Sequence, residues 1–523
     1  MRFESKLGSS VTVGVLAWSL VGCSSTDAGS RRGAESPASG GGAPLGSSGG
    51  RTNAGGGSQI ATVATGGVGG GALTPGAGGA PSGTQAGGQP GLGGQGAGGS
   101  PGLGGAASGG SGSTLIPTPG NGPAVINAEA GDSTKDKRYV VKVGGIDYPL
   151  WVPGGISKIR GIVKARNEAH YTEIARLLNF ACLHFDASGG AWPGVKEALK
   201  LLAVQSGHPE LEFAPFLATG HSASSGALRD FVSVEPSRFI AISPGGLEVR
   251  PETPELDKLP WMVWYGSRDA SQSNAHIDNL ELVRPRGALF GIAPQWGGGH
   301  AFDGSANLTM VWYWESVARR YPSTLSNDTA QPALVEIEEA SGWVGERNDW
   351  LPDQDGSGNF KVMTQGTRSN IAPFASAPFD KSRAVWLLGS YAAHVWRGYA
   401  SPDNAVSVAS PVPQHSEQKR PVTLIEPGAK LSVKLAVNYD PTKIKKVEVW
   451  DGDKPLGAVT APDYTLSGIE LPPGIHAMMG VITRTDDTTL SSQPSTVYSI
   501  RVKCPVADNV TLSTAFPINC ISP

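Results

Sequence analysis

The sequence predicts an α/β protein: a sheet flanked by helices, followed by an all-β sandwich and preceded by a long disordered linker. Three observations predict it. From Lys137 to Arg319, short apolar runs alternate with segments of helical spacing, the signature of a mostly parallel sheet covered by helices. From about Ala405 to Lys503 the period becomes two, with Leu431, Val433, Leu435 and Val437 separated by polar residues. The 73 glycines in 523 residues are concentrated before residue 124, in a Gly, Ser, Ala and Pro tract too poor in apolar side chains to offset the entropy of ordering.

Residues 1–22 have the features of an export signal, with Arg2 and Lys6 near the start, an apolar stretch from Val11 to Val21, and Gly22 before Cys23. The apolar run is shorter than the ~20 residues a spanning helix needs. Leu20-Val21-Gly22-Cys23 resembles the processing box of bacterial lipoproteins. That resemblance implies cleavage before Cys23 and acylation of its thiol and its new amine. Several acyl chains anchor firmly, because each buried CH2 contributes about 0.8 kcal/mol. No acidic residue follows Cys23 at the second position, so the expected destination is the outer membrane or cell surface, with a periplasm-facing placement left open.

Residues 23–123 are then a lipid-anchored linker, and a Gly-rich coil of about 100 residues has an r.m.s. span on the order of 50–60 Å. No strand precedes Gln89-Pro90-Gly91-Leu92-Gly93-Gly94, which argues against a phosphate loop there. A net charge of −3 with 17% charged residues gives no nucleic-acid footprint. Cys182 lies in an apolar run and is expected as a buried thiol, whereas Cys504 and Cys520 lie close together in the tail of an exported chain and are expected to form a disulfide.

Within the unit 124–330, Arg138–Val143 and Tyr148–Val152 predict an antiparallel pair turned at Gly144-Gly145, with Ile159–Lys164 as the next strand. Helical spacing over Glu168–Phe180 precedes a strand at Ala181–Phe185, and Val195–Val204 predicts a helix opened by Pro193. The apolar run Phe213–Thr219 leads directly into Gly220-His221-Ser222-Ala223-Ser224-Ser225-Gly226, and a helix is expected over Ala227–Val232. Strands follow at Phe239–Ser243, Met262–Tyr265 and Leu289–Ile292, with helices around Ile277–Val283 and at Leu308–Arg319.

A serine hydroxyl becomes nucleophilic only beside a base that takes its proton, and that base must itself be oriented. Gly220-His221-Ser222-Ala223-Ser224 resembles the G-x-S-x-G nucleophile elbow of α/β hydrolases, with Ser224 in place of the last glycine. Asp269 follows the strand Met262–Tyr265 in a Gly-x-x-Asp turn, and His300 ends the glycine-rich Trp296-Gly297-Gly298-Gly299. Ser, Asp and His in this order match the family, so the resemblance implies Ser222 as nucleophile, His300 as base and Asp269 as orienting acid, with Asp278 the alternative acid. His221 is expected to shape the elbow. The Ala223 amide is the expected first oxyanion donor. The second would follow Ile159–Lys164, where many relatives carry a His-Gly pair and this chain has Lys164-Ala165-Arg166-Asn167, which leaves the Arg166 or Asn167 amide. The resemblance spans about Val140 to Tyr321 and is nearest to secreted esterases of the feruloyl-esterase and polyhydroxyalkanoate-depolymerase kind.

Residues 331–404 are expected to extend the hydrolase, with a helix over Ala384–Tyr399. Residues 405–503 resemble the Ig-like modules attached to bacterial surface hydrolases, through Val447-Glu448-Val449-Trp450-Asp451-Gly452-Asp453-Lys454, and 504–523 form a tail. The expected activity is cleavage of carboxylic esters through an acyl-enzyme, without cofactor or metal; the sequence does not choose between a small and a polymeric ester. A surface polymer is the expected partner of the Ig-like module, and the membrane is engaged only through the anchor. The altered oxyanion loop also fits a different class of protein, a surface adhesion lipoprotein with a degenerate hydrolase core.

Overall fold

The computed structural model describes residues 135–164, 169–185, 192–267, 269–295, 300, 305–347, 369–401, 403–411 and 422–499. The expectations at Cys23, Arg166, Asn167, Cys504 and Cys520, and for residues 1–123, lie outside the described residues.

A hairpin opens the fold. β1 (Lys137–Val143) pairs antiparallel with β2 (Ile146–Val152), turned by Gly144 at φ 57° and Gly145 at φ 86°. Two left-handed residues in a two-residue loop match the right-handed twist of the strands, which is why glycine stands at both. Next come β3 (Gly161–Lys164), α1 (Ala169–Leu178), β4 (Phe180–Leu183), α2 (Trp192–Ser206), β5 (Phe216–His221) and α3 (Ala223–Val234). The sheet is completed by β6 (Phe239–Gly245), the short α4 (Pro254–Asp257), β7 (Trp261–Gly266), α5 (Ala270–Val283) and β8 (Phe290–Gln295), and α6 (Ser305–Arg320) follows.

The eight strands lie in the order β1-β2-β4-β3-β5-β6-β7-β8. β3 to β8 are parallel, and β2 meets β4 antiparallel. Every residue of β3, β4, β6 and β7 is buried, which explains why these strands read as continuous apolar runs: helices cover both faces. Cys182 of β4 is a buried free thiol, and desolvation drives its pKa upward. β5 is interior, so the chain leaves its carboxyl end into α3 near the middle of the sheet.

The segment expected as one helix over Ala384–Tyr399 divides. After β9 (Trp343–Gly345) and β10 (Ile371–Pro373), β11 (Val385–Leu387) pairs with β9, and α7 (Ser390–Ala400) begins only after Gly389, which is extended at φ −164°. Val385 and Trp386 are a β-branched and an aromatic residue, types that suit a half-buried strand, and both are fully buried here. The Trp396 indole of α7 donates to the Ile292 carbonyl of β8 at 2.8 Å, and its ring fills the space that a side chain at Gly345 would occupy.

Two sheets form the all-β part. β12 (Val406–Ser410), β14 (Lys430–Val437) and β17 (Thr465–Glu470) make one. β13 (Val422–Ile425), β15 (Ile444–Asp451), β16 (Lys454–Val459), β18 (Gly474–Arg484), β19 (Thr489–Ser491) and β20 (Ser495–Ser499) make the other. Val433 and Leu435 from the first sheet share a core with Val449, Met478, Ile482 and Val497 from the second.

Ile475, Ala477 and Tyr498 of the β-sandwich pack into the core of the α/β sheet. A polar cluster lies at the same junction. The Tyr391 hydroxyl of α7 donates to Asp451 Oδ1 at 2.6 Å, and His476 Nδ1 stands 2.7 Å from Asp451 Oδ2. His476 Nε2 is 2.8 Å from the Pro472 carbonyl. A carboxylate and a carbonyl only accept, so both ring nitrogens carry hydrogen and His476 is an imidazolium. Desolvation pulls its pKa down, but the charge and hydrogen bond of Asp451 and the Pro472 carbonyl outweigh that and, against Lys454, hold it above the ordinary value. Nearby on α6, burial pushes Glu315 up to about 8, opposed by the Ala392 N–H and Arg319 and reinforced by Asp453.

Both shifts favour the folded chain at lower pH. The Glu315 contribution is full below the ordinary 4.5 and is lost as pH rises towards about 8, and that of His476 fades as pH climbs above its ordinary 6.5. Thermal melts from pH 5 to pH 8.5 should therefore show falling stability. Glu315→Gln, which keeps an acceptor for the Ala392 N–H, should flatten that fall by roughly 2–4 °C or more, the equivalent of 1 kcal/mol in a domain of comparable size. Equal pH slopes in the two proteins would contradict a buried, protonated Glu315.

Candidate active site

The backbone turns sharply where β5 ends. Ser222 sits between the last residue of β5 and the first of α3, at φ 56° and ψ −129°. An L-residue holds such a conformation, at a cost of about 1–3 kcal/mol, only where its surroundings enforce it. The enforcing bonds run to β6: the Ser222 N–H donates to the Gly245 carbonyl at 2.9 Å, and the Ser225 hydroxyl donates to the same carbonyl at 2.8 Å. Ser225 Oγ also accepts from the Gly245 N–H at 3.2 Å. Ser225 is buried inside α3 and its hydroxyl is committed to this bridge.

The glycine requirement of the turn falls at its first position. A Cβ on Gly220 would stand 2.6 Å from the Ser224 carbonyl oxygen, so only hydrogen fits there. Ser224, the departure from the five-residue pattern, lies in α3, where a side chain is tolerated. Ala223 is the first residue of α3, and amides in a first helical turn lack intrahelical acceptors, so its N–H is available at the helix's positive end.

Asp269 stands after β7, immediately before α5. Its Oδ2 lies 2.7 Å from His300 Nδ1; the carboxylate is largely buried, at 10% exposure, whereas the imidazole is 49% exposed. The structure thus joins Asp269 and His300, residues 31 apart in sequence. Asp278, the alternative acid, is exposed on α5. With Nδ1 engaged by a carboxylate, Nε2 of His300 is the nitrogen left to face a reacting group. The imidazole lies over the β6 end: His300 Cε1 is 3.5 Å from where a Cβ on Gly246 would stand. Ser222 is tied by its N–H to the preceding residue, Gly245.

Neighbouring residues whose contacts were not legible in the sequence complete the site. His221 stacks on Trp264, with ring centroids 5.6 Å apart and planes 4° from parallel, and its Nε2 lies 2.6 Å from the His300 carbonyl oxygen. A Cβ on Gly245 would stand 2.2 Å from the Trp264 ring, and one on Gly246 2.7 Å from the His221 ring. The Gly245-Gly246 pair after a predicted strand was the one signal that rings pack there. Lys164, at the end of β3, is buried and donates to the Thr219 carbonyl at 3.0 Å. His276 on α5 is buried against Tyr265, at 4.6 Å between centroids, and burial lowers its pKa to about 3, which favours the neutral imidazole. Among the described residues no cluster of three or more His, Cys, Asp or Glu could hold a metal ion.

The sequence matches no protein-family model and no curated protein. Among solved structures, the chain is similar to Est1E from Butyrivibrio proteoclasticus, at 14% identity over 35% of this chain and 99% of that one, with a TM-score of 0.26. A dienelactone hydrolase from Anabaena variabilis gives 18% identity over 34% and 97%, with a TM-score of 0.27. The fibronectin(III)-like modules of CbhA from Clostridium thermocellum give 22% over 18% and 97%, with a TM-score of 0.16. The chain's own architecture is a mostly parallel eight-stranded sheet with a strand–turn–helix elbow at the carboxyl end of β5, joined to a β-sandwich.

The elbow geometry separates two glycines that look alike in sequence. Gly220→Ala should cost on the order of 1–3 kcal/mol, because the new methyl meets backbone that cannot move aside. Gly226→Ala meets only the flexible end of Leu247, at 3.2 Å, and gains the roughly 0.5–1 kcal/mol that alanine brings to a helix, so it should lose nothing. Urea unfolding of the two variants checks this; equal losses would contradict the close approach at Gly220.

Proposed function

We propose that this protein is an exported, lipid-anchored serine hydrolase that cleaves carboxylic esters through an acyl-enzyme. The observation that carries the reading is the 2.7 Å contact between Asp269 and His300 Nδ1 beside the strained turn of Ser222. In this reading His300 Nε2 takes the Ser222 proton as Oγ attacks the ester carbonyl, and Asp269 holds the imidazole in the tautomer that leaves Nε2 bare and steadies the imidazolium that forms. The Ala223 N–H donates to the developing oxyanion, and Arg166 or Asn167 is proposed to supply a second amide. The imidazolium then protonates the departing alkoxide. Water attacks the acyl-enzyme by the same route in reverse, giving the free acid and restoring Ser222. Cys23 is proposed as the acylated residue, which places the catalytic unit at the outer membrane or cell surface on its linker. The Ig-like module is proposed to bind a surface polymer, and Cys504 and Cys520 to pair as a disulfide.

Short p-nitrophenyl esters should be hydrolysed by the wild type, with Ser222→Ala and His300→Ala reducing kcat by about 10³-fold or more and Asp269→Asn by about 10⁴-fold. A fluorophosphonate probe should label the wild type at Ser222. Equal turnover by wild type and Ser222→Ala would overturn the assignment; no turnover and no label would favour the adhesion-protein alternative. Separately, Cys23→Ala should abolish incorporation of labelled fatty acid and release the protein from membranes, and unchanged incorporation would refute Cys23 as the anchor.

A further inference from the structure

A general base must be held in position as well as oriented. The sequence before His300 is Trp296-Gly297-Gly298-Gly299, and glycine is the residue type with the widest backbone freedom. Half-exposed, the imidazole is not held by burial either. The bond to Asp269 sets the rotation of the ring, but one bond at Nδ1 does not determine where the backbone of His300 stands.

We propose that His221 is the positioning residue for His300, donating from Nε2 to the His300 carbonyl while its own ring is braced on Trp264. This rests on the hydrolase reading and deepens it. The carbonyl can only accept, so the 2.6 Å contact assigns a hydrogen to His221 Nε2. The His221 ring lies parallel to Trp264, whose indole N–H donates to the Ser243 carbonyl of β6 at 3.1 Å. The backbone makes room for both rings, with glycine at 245 against Trp264 and glycine at 246, with φ 64°, against His221. The His221 and His300 ring centroids are 5.0 Å apart.

His221 is the last residue of β5, in register with Gly245 of β6. One residue is therefore covalently joined to the nucleophile, held in the sheet, and hydrogen-bonded to the main chain of the base. It sets the distance between Ser222 and His300 directly, a role distinct from shaping the elbow. A misplacement of about 1 Å between reacting groups costs on the order of 10²-fold in rate.

Two variants separate the donor from the ring. His221→Phe keeps an aromatic face against Trp264 and removes the donor; His221→Gln places an amide N–H near the position of Nε2. With a p-nitrophenyl ester, His221→Phe should lower kcat about 10–100-fold at little change in KM and shift the acid limb of the pH profile, and His221→Gln should recover most of the loss. In full-length protein labelled with ¹⁵N-histidine, the Nδ1–H signal of His300 should be sharp in wild type and His221→Gln and exchange-broadened in His221→Phe. A His221→Phe enzyme within about twofold of wild-type kcat, with that signal intact, would overturn the proposal. So would a wild-type spectrum showing a bare His221 Nε2, a measurement that stands even if the phenylalanine variant does not fold. A wild type that neither turns over esters nor takes the fluorophosphonate label would end the hydrolase reading instead, and the spectra would still decide whether His221 holds His300.

Discussion

At Ser222 the chain adopts a backbone conformation that relaxes as soon as its neighbours let go, and the surrounding residues follow from that constraint. Gly245 must offer its carbonyl to both Ser222 and Ser225, which fixes the register of β5 against β6. Gly220 must lack a side chain so that Ser224 can close over it. Ser225 must be small and polar to bridge both groups of Gly245. None of these side chains need touch a substrate. They place a hydroxyl above the sheet edge, and the strain they hold is offset by the ladder of parallel strands beneath.

Much of the sheet was legible because burial on both faces writes itself as uninterrupted apolar runs, and because Gly144-Gly145 can turn a hairpin in few other ways. The elbow was legible for a local reason: a strand, a tight turn and a helix fall within one short stretch. The contact of Asp269 with His300 could be suspected only from order and loop context, since nothing in the intervening sequence states a distance. The division of Ala384–Tyr399 into a strand and a helix was not legible, because β9, the partner that draws Val385–Leu387 into a sheet, lies some forty residues earlier. The stack of His221 on Trp264 was hidden for the same reason. A histidine at the second elbow position says nothing of which ring it meets, and Trp264 read simply as one more apolar residue of a buried strand.

The junction with the β-sandwich shows a second kind of information that composition cannot hold. Asp451 and His476 pair within the sandwich, whereas Tyr391 of α7 donates to Asp451 and accepts from the Ala477 N–H only when the two parts dock in one arrangement. A displaced docking would take the Tyr391 hydroxyl away from Asp451 and the Ala477 N–H, and a buried donor or acceptor left without its partner costs about 1–3 kcal/mol. Ile475 and Tyr498 supply apolar contact at the same place but would accept a small slide; the hydrogen bonds of Tyr391 would not.

Trp396 and the strand β11 have an effect beyond packing. β8 ends the eight-stranded sheet, and its outer backbone would otherwise be a template on which another polypeptide could add a strand. The indole on the Ile292 carbonyl, and the close approach of the Trp386 carbonyl to Gly291, occupy that template. At the opposite end β1 carries exposed Lys137, Arg138 and Lys142, whose like charges oppose alignment with a copy of itself. Both rims of the sheet are thereby poor templates for a strand from another polypeptide.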